Sequence, residues 1–146
     1  MAQTIDDIFG DFDFLDDWED RYRYVIDLGR DLKPYPEEAR DAAHKVRGCV
    51  SQVWLKSTLN SDTDPVIEFV GDSDAHIVRG LVAIMMVLYS GKRASEIMAI
   101  NPEAILRKLG LDEHLTPQRS NGLRAMIGRI RGEAQNALAP AEVTQH

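Results

Sequence analysis

Cysteine is nearly absent from this chain: one, Cys49, among 146 residues. A single thiol makes no internal disulfide, which fits a reducing compartment. Long apolar runs are missing too. The longest strongly apolar stretch, Leu81 to Tyr89, is far shorter than the ~20 residues a bilayer span requires. The first residues are acidic and lack an apolar leader region, so no secretory signal is read and a cytoplasmic address is expected. Positive charge is scarce, with 17 Lys and Arg against 24 Asp and Glu and a net charge of -7. That balance argues against nucleic acid and against an anionic membrane surface, both of which call for an excess of Lys and Arg. The four histidines are scattered without ligand spacing, so no metal site is expected.

What is present reads as one domain over residues 1–146, with 139–146 a disordered tail. Eight acids and no Lys or Arg fall in the first twenty residues, while Ile5, Ile8, Phe12 and Leu15 keep helical spacing. A second helix is predicted from Asp17 to Leu28, closed by Gly29. Leu32 to Pro36 breaks regular structure, and a short helix is predicted from Pro36 to Ala43 or His44. The pattern then changes to period two. Ser51–Leu59 and Val66–Val70 read as an antiparallel hairpin around the turn cluster Asn60 to Pro65, with Lys45–Gly48 as a candidate third strand.

Asp72 or Ser73 is placed to cap a helix, buried around most of its circumference, that stops at Gly91. A short helix is predicted over Arg93–Ala99. Another starts at Asn101-Pro102-Glu103 and ends at Gly110, and a last one starts at Thr116-Pro117. Gly122, Gly128 and Gly132 lie inside that last helix, where each costs ~1 kcal/mol relative to Ala unless close packing needs it. The fold class is α+β, helices packed on a small antiparallel sheet.

Chemistry concentrates in His44–Leu55, HKVRGCVSQVWL. From Ala42 to Ser61 there is no acid, while Lys45, Arg47 and Lys56 are present. Nearby positive charge favours the thiolate, the reactive form of cysteine. Composition alone leaves Cys49 open between a buried structural residue and a functional thiol. Asp72 and Asp74 read first as helix caps and second as site neighbours. Ser51 and Gln52 are loop donors or plain strand residues, and Trp54 is core or loop support. His44 is an exposed helix-end histidine or a polarising group for the loop. Arg119 stands at the third position of the last helix, against the positive end of the dipole. A carboxylate from Asp72 or Asp74, or a docking surface, would compensate it.

The run VRGCVSQVWL resembles the active-site signature of the SufE family, close to G-C-x-S-x-V-W. The segments RYRYVIDLGRDL, FVGDSDAHIVRGLVAIMMVLYSG and LGLDEHLTPQRSNGLRAMIGRIR are similar to the family's pattern in the same order. Together they cover most of residues 18 to 131. The resemblance implies helices on a three-stranded antiparallel sheet, like the IscU-type scaffold. It implies a sulfur acceptor for a SufS-type cysteine desulfurase in iron–sulfur cluster assembly, with Cys49 holding sulfane sulfur as a persulfide and passing it to a SufBCD-type scaffold. The chain itself would then be no enzyme and need no cofactor, the pyridoxal phosphate belonging to the partner.

A lone thiol suits a carrier, since a second would release the sulfur as a disulfide forms. It also excludes a cluster scaffold, which needs several thiolates. The family places an arginine near the cysteine loop, carried over to Arg119, and Gly48 precedes the thiol. Val50 stands where Gln is frequent, and His44 where Asn is. A homodimer stays open, as do two rivals: a stand-alone cysteine hydrolase using His44 as base, and an interaction module in which Cys49 is incidental.

Overall fold

Side-chain caps set the first two helices. In α1 (Ile5–Phe14) the Thr4 side chain accepts from the Asp7 N–H while the Asp7 carboxylate accepts from the Thr4 N–H. The helix buries Ile8 and Phe12. Asp17 caps α2 (Trp18–Arg30) by accepting from the Asp20 N–H at 2.9 Å. Gly29 does not close this helix as the sequence predicts; α2 continues to Arg30. The glycine serves packing instead. A Cβ added at Gly29 would stand 2.7 Å from the Gly80 nitrogen, and one at Gly80 would stand 2.1 Å from the Val25 oxygen. The two helices therefore lie backbone against backbone, α2 on α3 (His76–Tyr89). Helix α3 is the centre of the core, burying Leu81, Val82, Ile84, Met85, Leu88 and Tyr89.

The computed structural model describes residues 4–48 and 51–138, and among these it has seven α-helices and a three-stranded antiparallel sheet. Strand β1 (Val53–Leu59) pairs with β2 (Val66–Ser73) from Val53 opposite Ser73 to Leu59 opposite Ile67. Asn60 builds the turn between them, its side-chain oxygen accepting from the Asp62 and Val66 N–H groups.

The third strand is β3 (Lys92–Arg93), paired with Val66 and Ile67, and not Lys45–Gly48. That earlier segment only touches β1. The Val46 N–H donates to the Val53 oxygen at 2.8 Å and the Leu55 N–H to the His44 oxygen at 2.9 Å, around a single Lys45–Trp54 bridge. Gly48, at φ +94, turns the chain before a longer ladder forms. Strand β2 also runs three residues beyond its expected end. Gly71 allows this, because a Cβ there would lie 2.8 Å from both Leu55 Cδ2 and Val82 Cγ1. Asp72 is thus a strand residue. The cap position of α3 is Ala75, whose N–H reaches Ser73 Oγ at 3.3 Å.

The helix expected from Pro36 shrinks to one 3-10 turn, Glu37–Ala39, with the Tyr35 hydroxyl donating to the Ala39 oxygen. Beyond the sheet come α4 (Ala94–Ala99) and α5 (Pro102–Leu109), the latter capped by Asn101 and ended by Gly110 at φ +74. A one-turn helix that the sequence does not predict, α6 (Leu111–His114), follows. Helix α7 (Pro117–Leu138) buries Leu123, Met126, Ile127, Ile130 and Ala134 along the stripe expected of it. Among the described residues no helix is long and apolar enough to cross a membrane. The predicted tail at 139–146 lies outside them.

Candidate functional site

Cys49 and Val50 lie outside the described residues, and the chain on either side of them is held at several points. Upstream, Gly48 adopts φ +94, a region that costs an L-residue roughly 1–2 kcal/mol. It rests on α7, where a Cβ added at Gly48 would meet the Ala125 Cβ at 3.3 Å. One helical turn on, Arg129 donates from Nη2 to the Ala43 oxygen at 2.9 Å and from Nη1 to the Lys45 oxygen at 3.3 Å. The limb entering residues 49–50 is therefore clamped between β1 and α7.

Downstream, Asp74 is the clasp. Its Oδ1 accepts from the Gln52 N–H at 3.0 Å, its own N–H donates to the Gln52 oxygen at 3.3 Å, and Gln52 Nε2 reaches Oδ2 at 3.5 Å. The helix-cap role expected first for Asp74 is not observed. Its carboxylate is turned to the loop because β2 runs on to Ser73 and carries Asp74 level with Gln52.

Asp72 lies one step inward, opposite Trp54 in the ladder, and its side chain is only 15% exposed. Arg40 Nη2 donates to Oδ2 at 2.7 Å, and Arg79 Nε stands 2.9 Å from Oδ1. The Arg40 guanidinium lies 5.0 Å from the centre of the Trp54 ring and 5.2 Å from that of Tyr35, within cation–π range. Trp54 is half-buried and supports this cluster. His44 sits in the turn before the loop, its Nδ1 2.7 Å from Asp41 Oδ1 while its N–H donates to the same oxygen at 3.0 Å. These bonds hold the Asp41 carboxyl below the usual range, the side-chain bond contributing most.

Arg119 does not find the partner expected for it. Asp72 is shared by Arg40 and Arg79, Asp74 is engaged by Gln52, and no carboxylate pairs with Arg119 among the described residues. It stands exposed on a cleft of about 280 Å³ whose rim includes Ser51, Thr116 and Gln118 and whose floor is Val78, Leu81, Leu123 and Met126. Thr116 caps α7 as expected, accepting from the Arg119 N–H at 3.3 Å.

Gly48, Ser51, Gln52, Asp74 and Arg119 thus gather about the loop. Trp54 and Asp72 form a second cluster on the sheet behind it, and His44 belongs to the preceding turn. Sequence reasoning missed Arg40, Arg79, Ala125 and Arg129. The last two are four apart on one helix face, a spacing that marks a paired contact only once the partner segment is known. Among the described residues no group of three or more His, Cys, Asp or Glu side chains is arranged to hold a metal ion.

Comparison with known proteins gives a consistent result. A family model, "SufE: Fe-S metabolism associated domain", matches residues 6–134. An uncharacterized SufE-like protein of Rhizobium meliloti is 57% identical over 136 residues, spanning 92% of this chain and 97% of that protein. Another, from Rhizobium etli, is 58% identical over 133 residues, spanning 90% of each. The fold is similar to the solution structure of a hypothetical protein from Thermus thermophilus, with a TM-score of 0.73 at 18% identity, covering 95% of this chain and 99% of that one.

Proposed function

Because the chain belongs to the SufE family, we propose that it is the sulfur acceptor and activator of a SufS-type cysteine desulfurase. Cys49 receives sulfane sulfur and hands it to a SufBCD-type assembly complex. The observation that carries this reading is the family match over residues 6–134, a span that includes the chain's only cysteine. The geometry is compatible with it: the segments entering and leaving residues 49–50 are fixed by Arg129 and Asp74.

In the proposed step the Cys49 thiolate attacks the terminal sulfur of the desulfurase's cysteine persulfide. A bond forms from Cys49 Sγ to that sulfur as the sulfur–sulfur bond in the partner breaks. The partner's cysteine leaves as thiolate, the proton stays on the transferred sulfur, and Cys49 becomes a persulfide with no net oxidation. Removing product sulfur frees the desulfurase for another turnover. The pyridoxal phosphate belongs to that partner, and the chain alone turns nothing over. The exchange is assigned to the cytoplasm, where a free thiol stays reduced.

Gly48, Ser51, Gln52, Trp54, Asp72, Asp74, Arg119 and His44 take positioning roles in this reading. Intact mass after incubation with a SufS-type desulfurase and free cysteine is the test. The expected product is one sulfur atom heavier, reverts with reductant and is absent in Cys49→Ser. That variant still binds the desulfurase but no longer stimulates it. An unmodified mass beside an active desulfurase rejects the acceptor role.

A further inference from the structure

Besides residues 75–95, which carry the core helix, two long stretches of this acidic chain contain no Asp or Glu, residues 42–61 and residues 114–132. Folding brings them together. Arg129 bonds the Ala43 and Lys45 oxygens, Gly48 rests against Ala125, and Ser51 shares a cleft with Arg119. Lys45, Arg47 and Arg129 line one open concavity of about 490 Å³. Among the described residues none of Lys45, Arg47, Arg119 and Arg129 pairs with a carboxylate, whereas Arg23, Arg30, Arg40, Arg79, Arg93 and Arg124 all do; Arg21, Arg107 and Arg131 also lack such a pair, so the shared place of the four about the loop is what sets them apart. Two acids near the region are engaged, Asp41 by His44 and Asp74 by Gln52.

We infer that these four cations form a docking surface for a carboxylate-rich face of the partner desulfurase, an inference that rests on the function proposed above. Arg119 and Arg129 are separated by roughly 15 Å along α7, which fits within one side of an ordinary protein interface. A cationic rim around a transfer site raises the encounter rate with an acidic face and orients it. It also repels a second copy of itself. The net charge of -7 opposes nucleic acid and anionic lipid at long range, so a protein carrying local carboxylates is the occupant favoured.

The test measures association of the full chain with a SufS-type desulfurase by a kinetic binding assay, at salt between about 50 and 500 mM, a span over which surface charges become screened. Wild type is expected to weaken about ten-fold or more across that range, mainly through the on-rate. The double variant Lys45→Glu/Arg47→Glu is expected to lose about ten-fold at low salt while its melting point and circular dichroism stay unchanged. Neither side chain makes a described bond, so folding is not at stake. Reversing charge instead in the acidic first twenty residues, with Asp13→Lys/Asp16→Lys, is the control and is expected to leave the affinity within about two-fold.

Salt-independent binding, or a Lys45→Glu/Arg47→Glu variant that binds like wild type, overturns the docking surface while the acceptor function stands. Equal losses in both double variants overturn it as well, as does tighter binding of duplex DNA or anionic vesicles than of the desulfurase at about 150 mM salt. Wild type that binds no desulfurase at any salt rejects the functional reading, and the docking surface falls with it.

Discussion

Gly48 is the residue at which backbone conformation and packing act together. Alanine there must take φ +94 and press its Cβ to 3.3 Å from the Ala125 Cβ. Gly48→Ala is expected to cost about 1–2 kcal/mol in urea unfolding, the scale of left-handed backbone for an L-residue. Adding Ala125→Gly removes the contact and leaves the conformational cost, so the double variant should recover only in part. Asp41 tests a second local claim. Its carboxyl is held low, first by the His44 side-chain bond and then by the His44 N–H. A pKa lowered in the folded state means that the contribution is present above the unfolded value near ~3.9 and is lost as pH falls through the folded one. Carboxyl carbon shifts followed by NMR should show Asp41 titrating below an ordinary aspartate, and His44→Ala should move it back up. Titration of Asp41 at the ordinary value in the wild type rejects the pairing. At this scale the sequence shows which residues are polar and near the cysteine, but not what they hold. The cap and clasp roles of Asp74 use the same carboxylate, and only the extra length of β2 decides between them.

The helices divide their glycines into those that packing requires and those that it does not. Gly80 lies against the Val25 backbone, where a Cβ would stand 2.1 Å from the carbonyl oxygen, so Gly80→Ala must push α2 off α3. A loss of at least about 1–3 kcal/mol is expected, seen as a lower urea midpoint. Gly128 and Gly132 face open space in the middle of α7. Gly128→Ala and Gly132→Ala should each stabilise by up to about 1 kcal/mol and raise the melting point by roughly 2–4 °C. A destabilised Gly128→Ala would mean that α7 has a partner on that face. Most elements are legible because their signals are local: Asp17, Asn101-Pro102 and Thr116-Pro117 all start helices where expected. Sequence and structure part where a residue type serves two physical purposes. Gly29 reads as a stop because glycine ends helices, but its purpose is the approach to Gly80. Lys45–Gly48 reads as a strand next to the period-two run, yet only two backbone bonds join His44 and Val46 to β1 before Gly48 turns away. A two-residue strand such as β3 carries too little pattern to read.

Across the whole molecule, one carboxylate joins three separate elements of the chain. Asp72 on β2 binds Arg40, from the irregular segment before the site, and Arg79, from the core helix α3. No local pattern announces this, because thirty-two residues separate Asp72 from Arg40. Arg40 in turn lies over Trp54 and Tyr35, so the segment from Tyr35 to His44 is fastened to the sheet through this cluster. Its backbone-to-backbone bonds are few, a single 3-10 turn and the Leu55 N–H donating to the His44 oxygen. Asp72→Asn keeps the shape and removes the charge, leaving two guanidinium groups facing a neutral amide. The three side chains remain 15–32% exposed, which discounts the cost from that of a fully buried pair to about 1–3 kcal/mol. Where the loss falls is the sharper measurement. If Asp72 anchors the front segment, the amides of Ala39, Arg40 and Val46 should exchange faster in Asp72→Asn, while those of α5 and α7 keep their relative protection. Equal acceleration in every element would place the effect in global stability and remove Asp72 from the support of the segment leading into residues 49–50.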